Sequence, residues 1–204
     1  MGIYSRYIFP RLMNWGLSHS EVTRLRKALL RDVEGKILEI GFGTGLNLPH
    51  YSPGVQLFAL EPNPGMLPLI DRARKSSEKT FTLCLGDAQR IPFRSESFDA
   101  AVSCWTLCSI ADVGRALDEI RRILRPRGRF FILEHGLSRE PSIQRWQHRL
   151  TPVQKRLGDG CHLNRDMKNL VESRGFQFIE LEEAYQEKAP RIFGYFYRGI
   201  AVRR

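Results

Sequence analysis

The chain of 204 residues has no run of eighteen apolar residues, so no membrane-spanning helix is expected. Its N-terminus has no compact apolar segment of the secretory kind, which argues against export. Cysteine is scarce. Cys84, Cys104, Cys108 and Cys161 form no Cys-x-x-Cys pair and read as free thiols of a reducing compartment. Cys104 and Cys108 stand four apart, but no paired ligands accompany them, so no metal is expected. Acidic residues are the minority, 22 against 32 Lys and Arg, a formal charge of +10. That excess permits nucleic acid, an anionic membrane surface or an acidic substrate. A solvated basic surface is the simpler reading, and nucleic acid is disfavoured because no recognition motif accompanies the charge. Internal repeats, low-complexity tracts and linkers are also missing. Hydrophobic residues make up 42% and charged residues 26%, so one globular domain over 1–204 is expected.

What is present centres on residues 36–47. Lys36 to Ile40 read as a short apolar strand, and Gly41, Gly43 and Gly45 as a tight turn whose backbone can approach a ligand. Glu61 ends the next apolar run about twenty residues past the first Gly, the spacing of a ribose-binding carboxylate. A nicotinamide fingerprint would need its third Gly at Leu46, so that class is excluded.

Along the chain, strands are expected at Val55 to Leu60, Phe81 to Leu85, Ala100 to Cys104, Arg129 to Leu133, Phe176 to Leu181 and Ile192 to Val202. Ser18 to Glu21 match a capping box for a helix with Val22, Leu25 and Leu29 on its apolar face and Arg24, Arg26, Lys27 and Arg31 away from it. Pro64 opens a helix to about Lys75. Val113 to Leu124 are amphipathic, and Arg125-Pro126-Arg127-Gly128 stops that helix. Residues 136–164 break the alternation, and Asn164 caps a last helix that Gly175 ends. Alternating strands and helices predict an α/β fold, a parallel sheet covered on both faces. Asp87 stands at the carboxyl end of the third strand, where open α/β sheets bind ligands, though a turn-forming Asp is its other reading. The aromatic, basic stretch from Tyr4 to Trp15 leaves three readings open: a lid over the cavity, an interfacial anchor, or a packed helix.

The pattern Glu39-x-Gly41-x-Gly43-x-Gly45, with Glu61 and Gly86-Asp87-Ala88, resembles the class I S-adenosylmethionine (SAM)-dependent methyltransferases over about residues 36–135 and the last two strands. The resemblance implies a Rossmann-like three-layer sandwich, a seven-stranded, mostly parallel sheet with its last strand antiparallel beside the fifth. It divides the domain into a helical lid (1–35), a SAM-binding core (36–135) and an acceptor-side insertion with the last strands (136–204). It also implies SAM as cofactor and S-adenosylhomocysteine as product. Cofactor contacts are then expected from Glu39, Gly41, Phe42, Gly43, Thr44, Gly45, Asn47, Glu61, Pro62, Met66, Asp87, Ala88, Cys104 and Trp105. Glu39 would attract the methionine ammonium, N–H groups after the turn would suit its carboxylate, and Asp87 would face the adenine amino group. Met66 reads equally as core.

A narrower resemblance rests on Cys104-Trp105-Thr106-Leu107-Cys108-Ser109, on Arg121 to Pro126 with Glu134-His135, and on Gly158-Asp159-Gly160-Cys161 followed by Leu163-x-Arg165. These resemble the small thiol S-methyltransferases of the animal methyltransferase-like family, whose N-terminal anchor has no counterpart here. Arg127 stands where that family's Gly is usual, which should matter only to the turn. The implied activity is methylation of a small-molecule acceptor, a thiol first, by a cytoplasmic protein. Acceptor-side candidates are His135, His162 and Asp159, with no strong base required because thiols ionise near pH ~8.5. The segment after the fourth strand lacks the Asn/Asp-Pro-Pro-aromatic loop of amide and adenine methylation and the carboxylates of metal-dependent O-methylation. The alternatives are a phospholipid or quinone methyltransferase, with peripheral membrane contact through the basic N-terminus, and a non-catalytic SAM- or RNA-binding module.

Overall fold

The computed structural model describes residues 2–204; Met1, the first residue of the expected lid, lies outside them. Seven apolar stretches become strands β1 (Lys36–Ile40), β2 (Gln56–Glu61), β3 (Phe81–Leu85), β4 (Phe98–Cys104), β5 (Leu124–His135), β6 (Phe176–Tyr185) and β7 (Tyr195–Arg203). They form one sheet in the order β3-β2-β1-β4-β5-β7-β6. β1 to β5 pair in parallel, and β7 runs antiparallel between β5 and β6. The expected sheet, including its antiparallel last strand, is the one observed.

Helices α1 (Phe9–Gly16), α2 (Ser20–Leu30), α3 (Leu67–Lys75), α4 (Val113–Ile123), α5 (Pro141–Leu157), α6 (Met167–Glu172) and α7 (Arg191–Gly194) complete the chain. Side chains alternate across a strand, so the central strands feed two cores. Ile37, Ala59 and Val102 pack with Leu25 and Leu29 of α2 and Ile70 of α3. Leu38, Leu60 and Ala101 pack with Leu117 and Ile120 of α4 and Val171 of α6 on the other face. Glu39 and Glu61 share the alternation of Ile37 and Ala59 and therefore point toward α2.

Several local expectations are corrected. Ser18 to Glu21 do not form a capping box: the N-cap of α2 is His19, with no side-chain bond, and Ser18 Oγ donates to Asn14 O. Arg26 is not on a solvent face; it is 3% exposed. The stretch from Pro64 is split, because Asn63 Oδ1 accepts from Gly65 N and closes a tight turn over Pro64–Met66 before α3 begins. β2 runs one residue further, to Glu61, and β4 begins two earlier, at Phe98. Leu124 leaves α4 to pair with Phe98, and the ladder resumes at Ala100 with Arg129, so Arg125 to Gly128 bulge out. Residues 136–164, expected to be irregular, hold the 17-residue α5. Asp166, not Asn164, caps α6 by accepting from Asn169 N. β6 continues to Tyr185, and α7 delays β7 to Tyr195.

Arg127 has φ +63° in the β5 bulge, a region that costs a residue with a Cβ about 1–2 kcal/mol. Arg127→Gly should therefore raise the unfolding free energy, by about 0.5–1 kcal/mol after the greater chain entropy of Gly is subtracted. Denaturant unfolding measures it; a loss of stability would contradict the strained turn.

Candidate functional site

The carboxyl ends of β1, β2 and β4 open into one cavity of about 340 Å³, within the range of small-molecule sites. The turn after β1 forms its floor. Gly41 has φ +67°, and a Cβ there would collide with the Thr106 side chain of the loop after β4. The turn does not open a helix. It leads into a short helical turn, Leu48–His50, in which the N–H groups of Gly45, Leu48 and His50 are already bonded. Polar side chains gather beside it.

Those groups surround Glu39, which is 1% exposed. One of its oxygens accepts from Asn47 Nδ2 at 2.9 Å and the other from Tyr51 Oη at 2.6 Å. Burial pushes its pKa up to about 7, against the pull of Tyr51, Asn47 and the nearby Arg26 guanidinium. Arg26 donates through Nη1 to Leu17 O at 2.5 Å, and its buried Nε has no partner. Asn47 Oδ1 is likewise buried without a partner. Arg26, Glu39 and Asn47 all line the cavity. An unsatisfied donor and an unsatisfied acceptor beside a carboxylate match the two ends of an amino-acid zwitterion, so the residues present fit the methionine moiety of SAM.

Glu61 lies along the same wall. It accepts from Gly43 N and Asn63 N, each at 2.8 Å, and burial raises its pKa. Two hydrogen bonds leave further lone pairs of the carboxylate free for sugar hydroxyls. Pro62 and Met66 line the wall beside it, with Met66 also in the core beneath. Asp87 sits exposed at the far rim, where its carboxylate accepts from Gln89 N and Nε2; Ala88 beside it is buried. Phe42, Gly43, Thr44 and Cys104 complete the lining on this side, while Gly45 lies outside it and lines a separate depression.

Past β4, Trp105 takes φ +57°, a costly conformation for a bulky residue, with its N–H on Leu133 O at 2.8 Å. Buried Glu134 holds this turn: one oxygen accepts from Ser103 Oγ, Thr106 N and Leu107 N. Trp105, Thr106, Ser109, Ile110, Ala111 and Asp159 line this end of the cavity.

The N-terminal segment covers both ends. Phe9, Met13 and Leu17 line the cavity from above. Thr44 Oγ1 donates to Asn14 Oδ1 and Asn63 Nδ2 to Ser5 O on the cofactor side. On the other side Ser5 Oγ donates to Asp159 Oδ1 and Tyr4 Oη to Leu157 O. Of the three acceptor-side candidates, only Asp159 reaches the cavity. His135 Nε2 lies 3.0 Å from Cys161 Sγ, and His162 Nδ1 lies 3.1 Å from Cys108 O; neither ring lines the cavity. Arg26 and Tyr51 were missed in the sequence. The signal for Arg26 was its place between Val22 and Leu30 at helical spacing, on the face that turns inward.

Glu39 holds its proton more tightly when folded, near pH 7, than at its ordinary 4.5. Its contribution to stability is therefore fully present below pH 4.5, is lost as pH rises to about 7, and is constant above. Unfolding measured across this range should show the wild type losing of order 3 kcal/mol that Glu39→Gln does not lose, at ~1.36 kcal/mol per unit. Parallel curves would mean that Glu39 ionises normally.

The methyltransferase domain family matches residues 38–132. Thiol S-methyltransferase TMT1A of Homo sapiens is 31% identical over 170 residues, 78% of this chain and 69% of that protein. The chain spans about two thirds of the length of the thiol S-methyltransferases it matches. A demethylmenaquinone methyltransferase of Symbiobacterium thermophilum is 34% identical over 104 residues, 48% of this chain and 41% of that one. Among solved structures, a SAM-dependent methyltransferase of Thermotoga maritima superposes with a TM-score of 0.72 at 22% identity and covers 99% of both chains. With this sheet order and this cavity, the chain belongs to the class I SAM-dependent methyltransferases and resembles the thiol S-methyltransferases among them.

Proposed function

We propose that the chain transfers the methyl group of SAM to a small-molecule acceptor, a thiol first, leaving S-adenosylhomocysteine. The observation that carries this is the polarity of the cavity: unsatisfied Arg26 and Asn47 beside Glu39 at one end, and at the other a covered wall that, among the described residues, carries no histidine and whose acidic side chain, Asp159, is held by Ser5. Bound SAM would supply an electrophilic methyl on a sulfonium. Arg26 would hold the methionine carboxylate, Glu39 and Asn47 Oδ1 the ammonium, and Glu61 the ribose. Asp87 and the Ala88 N–H would orient the adenine.

At the acceptor end the protein's task is alignment and exclusion of water, and positioning alone removes several kcal/mol of barrier, up to about 7–11 in favourable systems. Asp159 accepts from Ser5 through Oδ1 and so ties the covering segment to this wall, while its Oδ2 is not engaged by any described residue. A thiol suits such a wall because a few per cent is already thiolate at neutral pH. Alcohols and ammonium groups would need a proton acceptor, and Asp159 is the carboxylate at this end that could serve.

Calorimetric titration of SAM, followed by transfer of labelled methyl to a panel of alkyl thiols, tests the reading. Arg26→Met and Glu61→Ala should each weaken SAM binding about tenfold or more, the usual cost of a lost charge-assisted hydrogen bond. Tight SAM binding with no thiol labelled would remove the thiol. Unchanged affinity in both variants would remove the proposed cofactor site.

A membrane-held acceptor, quinone or phospholipid, is the second reading, favoured by the outer surface. α5 turns its polar side inward, where Gln147 bonds Ser138 N, Gly136 O and Ile192 O. Its apolar row faces out, with Trp146 51%, Val153 54% and Leu157 62% exposed among Arg145, Arg149, Lys155 and Arg156. The covering segment, joined to Leu157 through Tyr4, exposes Tyr7, Leu12 and Trp15 as well. Apolar rows flanked by basic residues suit an anionic interface. The chain should float with anionic vesicles at low salt, and less so as Trp146→Ala; recovery only in the unbound fraction would rule this reading out.

A further inference from the structure

Three residues from separate segments meet behind the acceptor end of the cavity. Cys108 lies in the turn after β4, His135 ends β5, and Cys161 follows α5. The two sulfurs and an imidazole nitrogen all lie within 4.8 Å of one another. Both cysteines are buried and free, and the ring is half-buried. Nothing in the proposed methyl transfer uses this cluster, because none of its members lines the cavity.

We propose that Cys108, His135 and Cys161 form a metal site that takes one zinc ion, or another thiolate-seeking divalent cation, and that pins the acceptor-side loop to the sheet. Two sulfurs and one imidazole are a donor set that selects zinc over hard cations such as magnesium or calcium. Bonds of about 2.3 Å to sulfur and 2.0–2.1 Å to nitrogen put ligand atoms about 3.5–3.8 Å apart. The present separations, 3.0 Å between His135 Nε2 and Cys161 Sγ and at most 4.8 Å within the set, bracket that spacing, so side-chain rotation can reach it. Three protein ligands leave a fourth position for water.

The scaffold around the ligands is already fixed. His162 N donates to Cys108 O at 2.8 Å, tying the Cys161 segment directly to the Cys108 turn. Cys161 N donates to Gly158 O, and Gly160 N to Lys155 O. A Cβ on Gly160 would lie 2.8 Å from Ser109 O, so the loop can sit this close only with Gly there. The charges also balance. Binding releases two thiol protons to solvent, and the two thiolates neutralise a divalent ion. Arg165, whose guanidinium is held by Leu107 O and Ile110 O, is offset by buried Glu134. The pinned loop carries Asp159, which in turn holds Ser5 of the covering segment. The ion would therefore set the acceptor wall without touching the acceptor.

The full chain, reduced and stripped with a chelator, is titrated with cobalt(II) and then zinc(II). We expect one cobalt per chain with sulfur-to-metal charge transfer and the strong visible bands of a tetrahedral site, displaced by zinc. Cys108→Ala and Cys161→Ala should abolish both signals, and Cys84→Ala, on the distant β3, should leave them unchanged. Because a core variant can fail to fold, the wild type is also alkylated with and without zinc. Zinc should protect Cys108 and Cys161, read by peptide mass spectrometry, while Cys84 reacts equally in both. Absence of stoichiometric binding, a spectrum without thiolate character, a spectrum that survives both alanine variants, or equal alkylation of the two cysteines would each overturn the site. So would a Cys108–Cys161 disulfide whose reduced form takes no metal.

Discussion

A carboxylate taken out of water at the end of β1 is the constraint on which the cavity depends. Glu39 cannot be carried at that depth without partners, because an unpaired buried charge is among the costliest features a fold can hold. Its partners come from three places: Asn47 past the glycine turn, Tyr51 past the helical turn, and Arg26 from α2. Satisfying one side chain thus fixes the turn after β1, the short crossing to β2 and the docking of α2. The same arrangement leaves Arg26 Nε and Asn47 Oδ1 unsatisfied at the cavity wall, a cost that a zwitterionic ligand would relieve.

A second buried carboxylate plays the matching role across the sheet. Glu134 gathers Ser103, Thr106 and Leu107 and so supports the left-handed Trp105 on the cavity wall. Strain of this kind persists only where the surroundings over-determine it. Glu39 and Glu134 thereby organise neighbouring loops from adjoining strands, both of which line the cavity.

The N-terminal segment joins these halves. Its inner face (Phe9, Met13, Leu17) roofs the cavity, and its polar groups reach Thr44 and Asn63 on one side and Asp159 on the other. Its outer face is apolar and continues toward α5. Cofactor, acceptor wall and outer surface are therefore mechanically linked through a few side chains. The membrane-facing and thiol readings consequently concern one covered cavity.

The strands, the glycine turn and the acidic residues Glu39 in β1 and Glu61 at the end of β2 were legible from sequence because their signals are local: apolar runs, φ-permissive glycines and a fixed spacing. The hidden features fail that condition. α5 has apolar residues at helical spacing (Ile143, Trp146, Leu150, Val153, Leu157), but Pro152 interrupts them and the row faces outward, opposite to a helix that feeds a core. Arg26 reads as a surface charge until Glu39, thirteen residues on and in another element, gives it a reason to be buried. His135 was weighed as an acceptor-side residue and Cys161 read as a free thiol, yet the fold turns them toward each other and toward Cys108. The sequence by itself determined that strands and helices alternate and that a glycine turn follows the first strand, since both follow from hydrophobic periodicity and backbone sterics; the antiparallel last strand and the cofactor were implied by the family resemblance. Only the tertiary structure decided which charges are buried and which thiols converge, because those depend on desolvation and on contacts between segments that no local spacing encodes.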